Sequence, residues 1–282
     1  MKELIMIVVT NDKEPLILKY YVLDRGDELS VNLSQTFHKL AFEHGLRLDA
    51  EYPDIVVSIG GDGTMLHAFH TFIDRIATTA FVGIHTGHLG FYADWKSDEI
   101  PQLMSLMVSH ANGEQPRIAT YPIIQLEIIK KSGTVSTLCL NEFTIKSVDG
   151  TVMAQVDIND QMFEMFRGDG ICVSSPSGST AYNKSLGGTV VHPSIEALQI
   201  SEIASINNRV FRTMGSSLLL PAHHHCDIYS RKEQNLMLTI DHLSIPVNDL
   251  ISVRCQVAEQ KVSFVRYRPF PFWTRVRNAF LD

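Results

Sequence analysis

Over residues 1–116 short apolar runs alternate with stretches whose apolar residues recur at helical spacing, the pattern of a parallel sheet covered by helices. Leu4 to Val9, Asp54 to Ile59 and Phe81 to His85 read as strands, each followed by a polar or glycine-rich turn. Between the first two, Leu33, Phe37, Leu40 and Ala41 share one face of a helix that can cover the sheet. Met65 to Phe72 and Asp98 to His110 read as further helices.

At Asn112-Gly113-Glu114-Gln115-Pro116 glycine and proline punctuate the chain, and a domain boundary is expected there. Beyond it the candidates are short strands separated by turn residues: Ile123 to Ile129, Thr137 to Cys139, Phe143 to Ile145, Ala154 to Ile158, Gly170 to Ser174, Ser217 to Leu220, Leu236 to Ile240 and Ile251 to Val257. One helical stretch is expected near Ser194 to Ser205. The end, Phe272 to Leu281, follows prolines and carries aromatic and aliphatic residues at helical offsets, so it is expected to dock as a helix.

Composition narrows the class. A chain of 282 residues, 45% hydrophobic and 20% charged, is an ordinary globular protein with room for two domains. Its formal charge of −7 argues against a broad nucleic-acid interface, so any anionic ligand must be held locally. Cys139, Cys172, Cys226 and Cys255 are too widely spaced for a zinc knuckle and suggest a reducing cytoplasm. Leu4 to Val9 is too short for a leader and lacks a cleavage site, and no apolar run approaches the roughly 20 residues that span a bilayer.

The strongest local signal is Gly60-Gly61-Asp62-Gly63-Thr64, between a predicted strand and a predicted helix. Glycines in such a turn let backbone N–H groups approach phosphate oxygens, and the helix N-terminus adds favourable dipole charge. A carboxylate among phosphates repels them unless it binds a metal ion or accepts a proton, so Asp62 suggests catalysis; the alternative is a helix-capping aspartate. A second glycine-rich turn, Gly83 to Tyr92, should emerge at the same carboxyl edge of the sheet, where open α/β sheets bind ligands.

In the β-rich half, Arg167-Gly168-Asp169-Gly170 and Pro176-Ser177-Gly178-Ser179-Thr180-Ala181-Tyr182 bring hydroxyls, small residues and a flat ring that suit a purine, ribose or phosphate. Gly178 to Ser185 imitates a P-loop, but Asn183 stands where that motif needs glycine. Asn141-Glu142 could grip a ribose diol or form a polar surface turn. His67 with His70, His85 with His88, and His223-His224-His225 lack the partners of a metal motif, and surface or capping roles are expected. No dedicated protein metal site is expected.

In this order these motifs, with Glu202 to Arg209, resemble the NAD kinase family over nearly the whole chain, and His85-Thr86-Gly87 resembles its Gram-positive bacterial type. The resemblance implies an α/β N-terminal domain with a Rossmann-like parallel sheet, residues 1–116 rejoined by 270–282, and a β-rich, sandwich-like NAD-binding domain, residues 117–269. It implies transfer of a phosphoryl group from ATP, with polyphosphate as an alternative donor, to the adenosine 2′-hydroxyl of NAD, with a divalent ion, expected to be Mg²⁺. Asp62 would be the catalytic base, and Gly60, Gly61, Gly63 and Thr64 would hold the donor phosphates. Asn141 and Glu142 would hold the ribose, while Ser177, Thr180, Ala181 and Tyr182 would surround the adenine, with Asn183, Lys184 and Ser185 completing that loop. Asp169 would reach the nicotinamide end, and Gly63, Phe91 and Tyr92 would also contact NAD. A homotetramer is implied, with Arg167, Ala204, Ile206 and His242 at or near a site shared with a neighbouring chain. No nucleic acid or membrane partner is expected. A lipid kinase sharing the glycine turn, or a dinucleotide-binding regulator without activity, are the competing expectations.

Overall fold

The computed structural model describes residues 17–282 apart from 88, 210 and 232. The strand expected at Leu4 to Val9 lies outside the described residues. The α/β half runs β1 (Lys19–Asp24), α1 (Glu28–Glu43), β2 (Arg47–Leu48), β3 (Ile55–Gly60), α2 (Asp62–Thr71), β4 (Ala80–His85), β5 (Trp95–Lys96) and α3 (Ile100–Ala111). Strand β1, which the periodicity did not single out, pairs in parallel with β2 and β3, and β3 pairs in parallel with β4.

All six residues of β3 are buried, as a parallel strand covered on both faces requires. Alternation along it divides two cores. Ile55, Val57 and Ile59 face α1 and α3 through Phe37, Ala41, Leu103, Met104 and Met107. Val56 faces α2 through Met65, Ala68 and Phe69, a cluster that also takes in Tyr92, Leu140 and Phe264.

The β-rich half runs β6 (Arg117–Lys130), β7 (Gly133–Cys139), β8 (Glu142–Ser147), β9 (Val152–Ile158), β10 (Gln161–Gly168), β11 (Gly170–Ser174), α4 (Tyr182–Ser185), β12 (Ala197–Ile203), β13 (Leu218–Pro221), β14 (His225–Ser230), β15 (Leu236–Ile240), β16 (Leu243–Val247) and β17 (Leu250–Arg266), after which α5 (Phe272–Phe280) packs against Phe91 in the α/β half. One antiparallel sheet follows the order β13-β12-β11-β8-β15-β16; the other contains β10, β9, β14, β17, β6 and β7. Their inner faces meet in a core built on Ile124, Leu126, Phe143, Ile145, Val156, Ile171, Val173, Leu238, Ile228 and Val253, so this half is a two-layer sandwich.

The helical stretch expected near Ser194 to Ser205 is instead strand β12. It is locked between β11 and β13 and buried along nearly its whole length. Helix formers such as Glu196, Ala197 and Leu198 set the local preference, and pairing on both edges overrides it.

Strand β17 belongs to both halves. Its first part pairs with β14 and its end pairs with β4, while β6 accompanies it throughout. Among the described residues no helix is long and apolar enough to cross a membrane.

Candidate active site

Strand β3 ends at Gly60, and Gly61, in an extended conformation, stands at the N-cap of α2. Asp62 is the first helical residue and does not cap the helix, since no side chain bonds across that terminus. Its carboxylate turns instead to the second glycine-rich turn. There Oδ2 accepts the Phe91 N–H at 2.9 Å and Oδ1 accepts the Tyr92 N–H at 3.1 Å. A Cβ at position 90 would collide with this carboxylate, which accounts for Gly90. Burial pushes the Asp62 carboxyl above the ordinary aspartate range, while the two amides and the Arg275 guanidinium draw it back. A carboxylate shifted in this direction is a better proton acceptor.

The facing wall is the corner between β7 and β8, where Asn141 and Glu142 stand. A residue that sequence reasoning missed fixes it. Asp241, in the β15–β16 turn with φ of 53°, accepts the Asn141 N–H at 2.6 Å, the Leu140 N–H at 2.9 Å and the Cys139 thiol at 3.2 Å. The same buried carboxylate lies 2.7 Å from Nε2 of His70, so α2 is tied to the β-rich half.

Tyr92 joins the two walls. Its backbone holds Asp62, and its hydroxyl donates to Oδ1 of Asn141. Beside Asn141, the Glu142 carboxylate accepts the Tyr182 N–H, but its Oε2 is buried without a partner. Burial first, then the negative charge of Asp241, push the Glu142 pKa up to about 8. An unsatisfied buried carboxyl oxygen fits a ligand hydroxyl.

The hydroxyl-rich loop packs against this corner. Ser175 N–H donates to the Asn141 carbonyl at 2.8 Å, the Ser175 hydroxyl to that of Leu140 at 2.5 Å, and the Ser175 and Ser177 hydroxyls lie 3.0 Å apart. A Cβ at Gly178 would strike the Asn141 backbone. Ser177 to Thr180 form a tight turn and Tyr182 opens α4, with the Lys146 ammonium 4.3 Å from the ring centre. Ala181 and Tyr182 are half-buried, and Lys184 and Ser185 are exposed. Asn183 is fully buried, and its Oδ1 accepts from Ser201, so its side chain anchors the loop.

Gly61, Gly63 and Thr64 line a cleft of about 460 Å³ with Asp24, Arg25, His67 and His242. Asp62 stands between this cleft and the Asn141–Glu142 wall, because its sequence neighbours line the one and Tyr92 connects it to the other. Asp24 and Arg25 escaped notice because strand β1 did. His67 and His70, expected at the surface or as caps, point toward His242, with ring centres 5.7 and 5.2 Å from it. Their spacing of three on α2 was the available signal.

His242 joins this site through the cleft lining of its own chain, whereas other expected residues stand elsewhere. Arg167 lines a different cleft with Asp149, Thr151 and Asn235, its guanidinium 4.8 Å from the Phe211 ring centre. Its carbonyl accepts the Ile206 N–H, and Ala204, at φ 44°, shapes the same connection. Asp169 is exposed at the far end of the β8–β11 pair.

Residues 30–111 match the family model for the ATP-NAD kinase N-terminal domain, and residues 140–267 match that for the ATP-NAD kinase C-terminal domain. The chain belongs to the NAD kinase family. NAD kinase 1 of Bacillus subtilis is 50% identical over 266 residues, covering 94% of this chain and 98% of the relative. NAD kinase 1 of Halalkalibacterium halodurans is 49% identical, covering 94% and 99%. These relatives support the Gram-positive type of NAD kinase and lend nothing to a lipid kinase or an inactive regulator.

Two solved structures share the fold. Yeast NADH kinase complexed with NADH superposes with a TM-score of 0.76 at 20% identity, over 95% of this chain and 88% of that one. An NAD kinase from Archaeoglobus fulgidus in complex with ATP gives 0.72 at 19%, over 93% and 97%. As a member of the NAD kinase family the chain is an enzyme, a phosphotransferase.

Proposed function

We propose that the protein transfers the γ-phosphoryl group of ATP to the adenosine 2′-hydroxyl of NAD, forming NADP, with Asp62 as the base. The observation that carries this reading is the bridge through Tyr92, which sets a carboxylate of raised pKa beside the Asn141–Glu142 corner. The unpartnered Oε2 of Glu142 and the Asn141 amide are suited to ribose hydroxyls, and the ring of Tyr182 to the adenine. Asp169, about 17 Å along strand β11 from the level of Glu142, suits the nicotinamide end.

The donor phosphates belong in the cleft at the N-terminus of α2, on the Gly61 to Thr64 backbone. Asp24 is the carboxylate of that cleft, a donor set suited to a Mg²⁺ ion carried chiefly by phosphates and water. Such an ion supplies charge neutralisation on the transferred group. In-line transfer then rests on the positioning of the acceptor hydroxyl against Asp62.

Arg167 lines a cleft separate from the one at Gly61 to Thr64, and a homotetramer in which it serves a neighbouring chain's site is in keeping with that separation. The four cysteines are free and buried, which suits the cytoplasm.

The reading is tested by assaying NADP formation with ATP, other triphosphates and polyphosphate, with and without Mg²⁺. NADP formed from ATP only in the presence of the metal is the expected result. Tight NAD binding with no NADP under any donor, or phosphorylation of diacylglycerol instead, would sink it.

A further inference from the structure

The turn that grips Asp62 is itself gripped from behind. Arg275, midway along α5, donates through Nη1 to the carbonyls of Gly90 at 2.8 Å and Ala93 at 2.5 Å, and through Nη2 to Oδ1 of Asp94 at 2.8 Å. The other Asp94 oxygen accepts from Arg266 of β17 at 2.7 Å, and all three side chains are buried. Gly90 and Ala93 bracket Phe91 and Tyr92, the residues whose amides hold Asp62. One guanidinium therefore fixes the carbonyl side of a short segment whose amide side carries the proposed base.

Independent contacts extend the grip. The Phe280 ring stacks on Phe91 with centres 5.8 Å apart and planes 25° from parallel, and Phe272 lies 6.2 Å from the same ring. The Lys184 ammonium sits 4.1 Å from the centre of the Phe280 ring. Lys184 belongs to α4, whose first residue, Tyr182, donates its amide to Glu142. Helix α5 thus touches the turn behind the base and the loop beside the acceptor wall.

Charge balance alone does not explain an arginine here. A lysine could pair with Asp94, but only the planar five-donor fork reaches that carboxylate and two carbonyls together. We propose that Arg275 is a positioning residue for Asp62, and that α5 clasps the Gly90–Ala93 turn to the Tyr182–Ser185 loop. The inference rests on the reading of Asp62 as the base.

Steady-state NADP formation and thermal unfolding are compared for wild type, Arg275→Lys, Phe280→Ala and, as a control, Arg277→Ala, whose exposed side chain pairs only loosely with Asp282. Arg275→Lys should fold and lose about 100-fold in kcat, the scale of a small misplacement of a reacting group, with KM for NAD within about threefold of wild type. Phe280→Ala should lose about tenfold in kcat by the same route, and Arg277→Ala should match wild type. Folded Arg275→Lys with wild-type kcat, or with only KM raised, would overturn the proposal. If Arg275→Lys does not fold, Phe280→Ala decides: a lowered kcat at unchanged KM supports the clasp and a wild-type kcat rejects it. Wild-type protein that makes no NADP removes the functional reading, whereas active wild type with indifferent variants removes this inference alone.

Discussion

Tyr92 and Asn141 face each other across the junction of the two halves, and the tyrosine hydroxyl donates to the asparagine Oδ1 while the tyrosine amide donates to Asp62. The backbone and side chain of one residue therefore serve opposite walls. Tyr92→Phe keeps the amide and removes the hydroxyl. Losing one neutral hydrogen bond should raise KM for NAD about three- to tenfold while kcat stays within about threefold. Steady-state kinetics check this, and a collapse of kcat at constant KM would instead put the hydroxyl in the chemistry.

Asp62→Asn retains the shape of the turn and removes the proton acceptor. NAD binding, read by calorimetry, should persist, and kcat should fall by about 10²–10⁴, the usual contribution of general-base catalysis. Near-normal turnover would take the base role away from Asp62.

Glu142 predicts a pH dependence. Its carboxyl holds its proton up to about 8 in the folded protein, against an ordinary value of 4.5, because it is buried near Asp241. Between those values the folded state carries the extra proton, so the stabilisation is full below 4.5 and is lost as pH rises through about 8. If the carboxylate accepts ribose hydroxyls, NAD binding releases that proton. KM for NAD should then fall as pH rises from about 6 to about 8, by at most about tenfold per unit, and level off above. Glu142→Gln should abolish both dependences; a wild-type slope in that variant would assign them to another group.

Asp241 holds the Asn141 corner from a hundred residues away. Asp241→Asn turns a donor toward backbone N–H groups that need an acceptor, leaving at least one buried N–H unpaired and weakening the His70 contact. The expected cost is about 2–4 kcal/mol in denaturant unfolding, with a lowered kcat in the protein that remains folded. Unchanged stability would show that the corner is held by the strands alone.

The parts of this molecule that were legible in its sequence are those whose physics is local. Gly60 to Thr64 declares itself because a phosphate-binding turn needs glycine where the backbone must approach a ligand, and α1 and α5 declare themselves by periodicity. Strand β14, His225 to Ser230, and strand β16, Leu243 to Val247, alternate apolar and polar residues only briefly, and Pro246 argues against a strand in β16, so pairing with their neighbours fixes both. Asp241 and Arg275 were illegible for a related reason: each works by receiving or donating hydrogen bonds at groups far away in the chain. Asp24 could have been found at the end of β1 had Tyr20 to Leu23 been read as a strand.

The passage of β17 from one half to the other has a mechanical consequence. The connection is a two-stranded ribbon, β6 with β17, whose ladder is interrupted by a bulge between Val257 and Lys261, opposite Ile123. In-plane bending of a paired ribbon breaks hydrogen bonds, whereas twisting it does not, and a bulge concentrates the twist. A substitution that straightens this bulge would change the twist between the two halves, and with it the alignment of Tyr92 on Asn141.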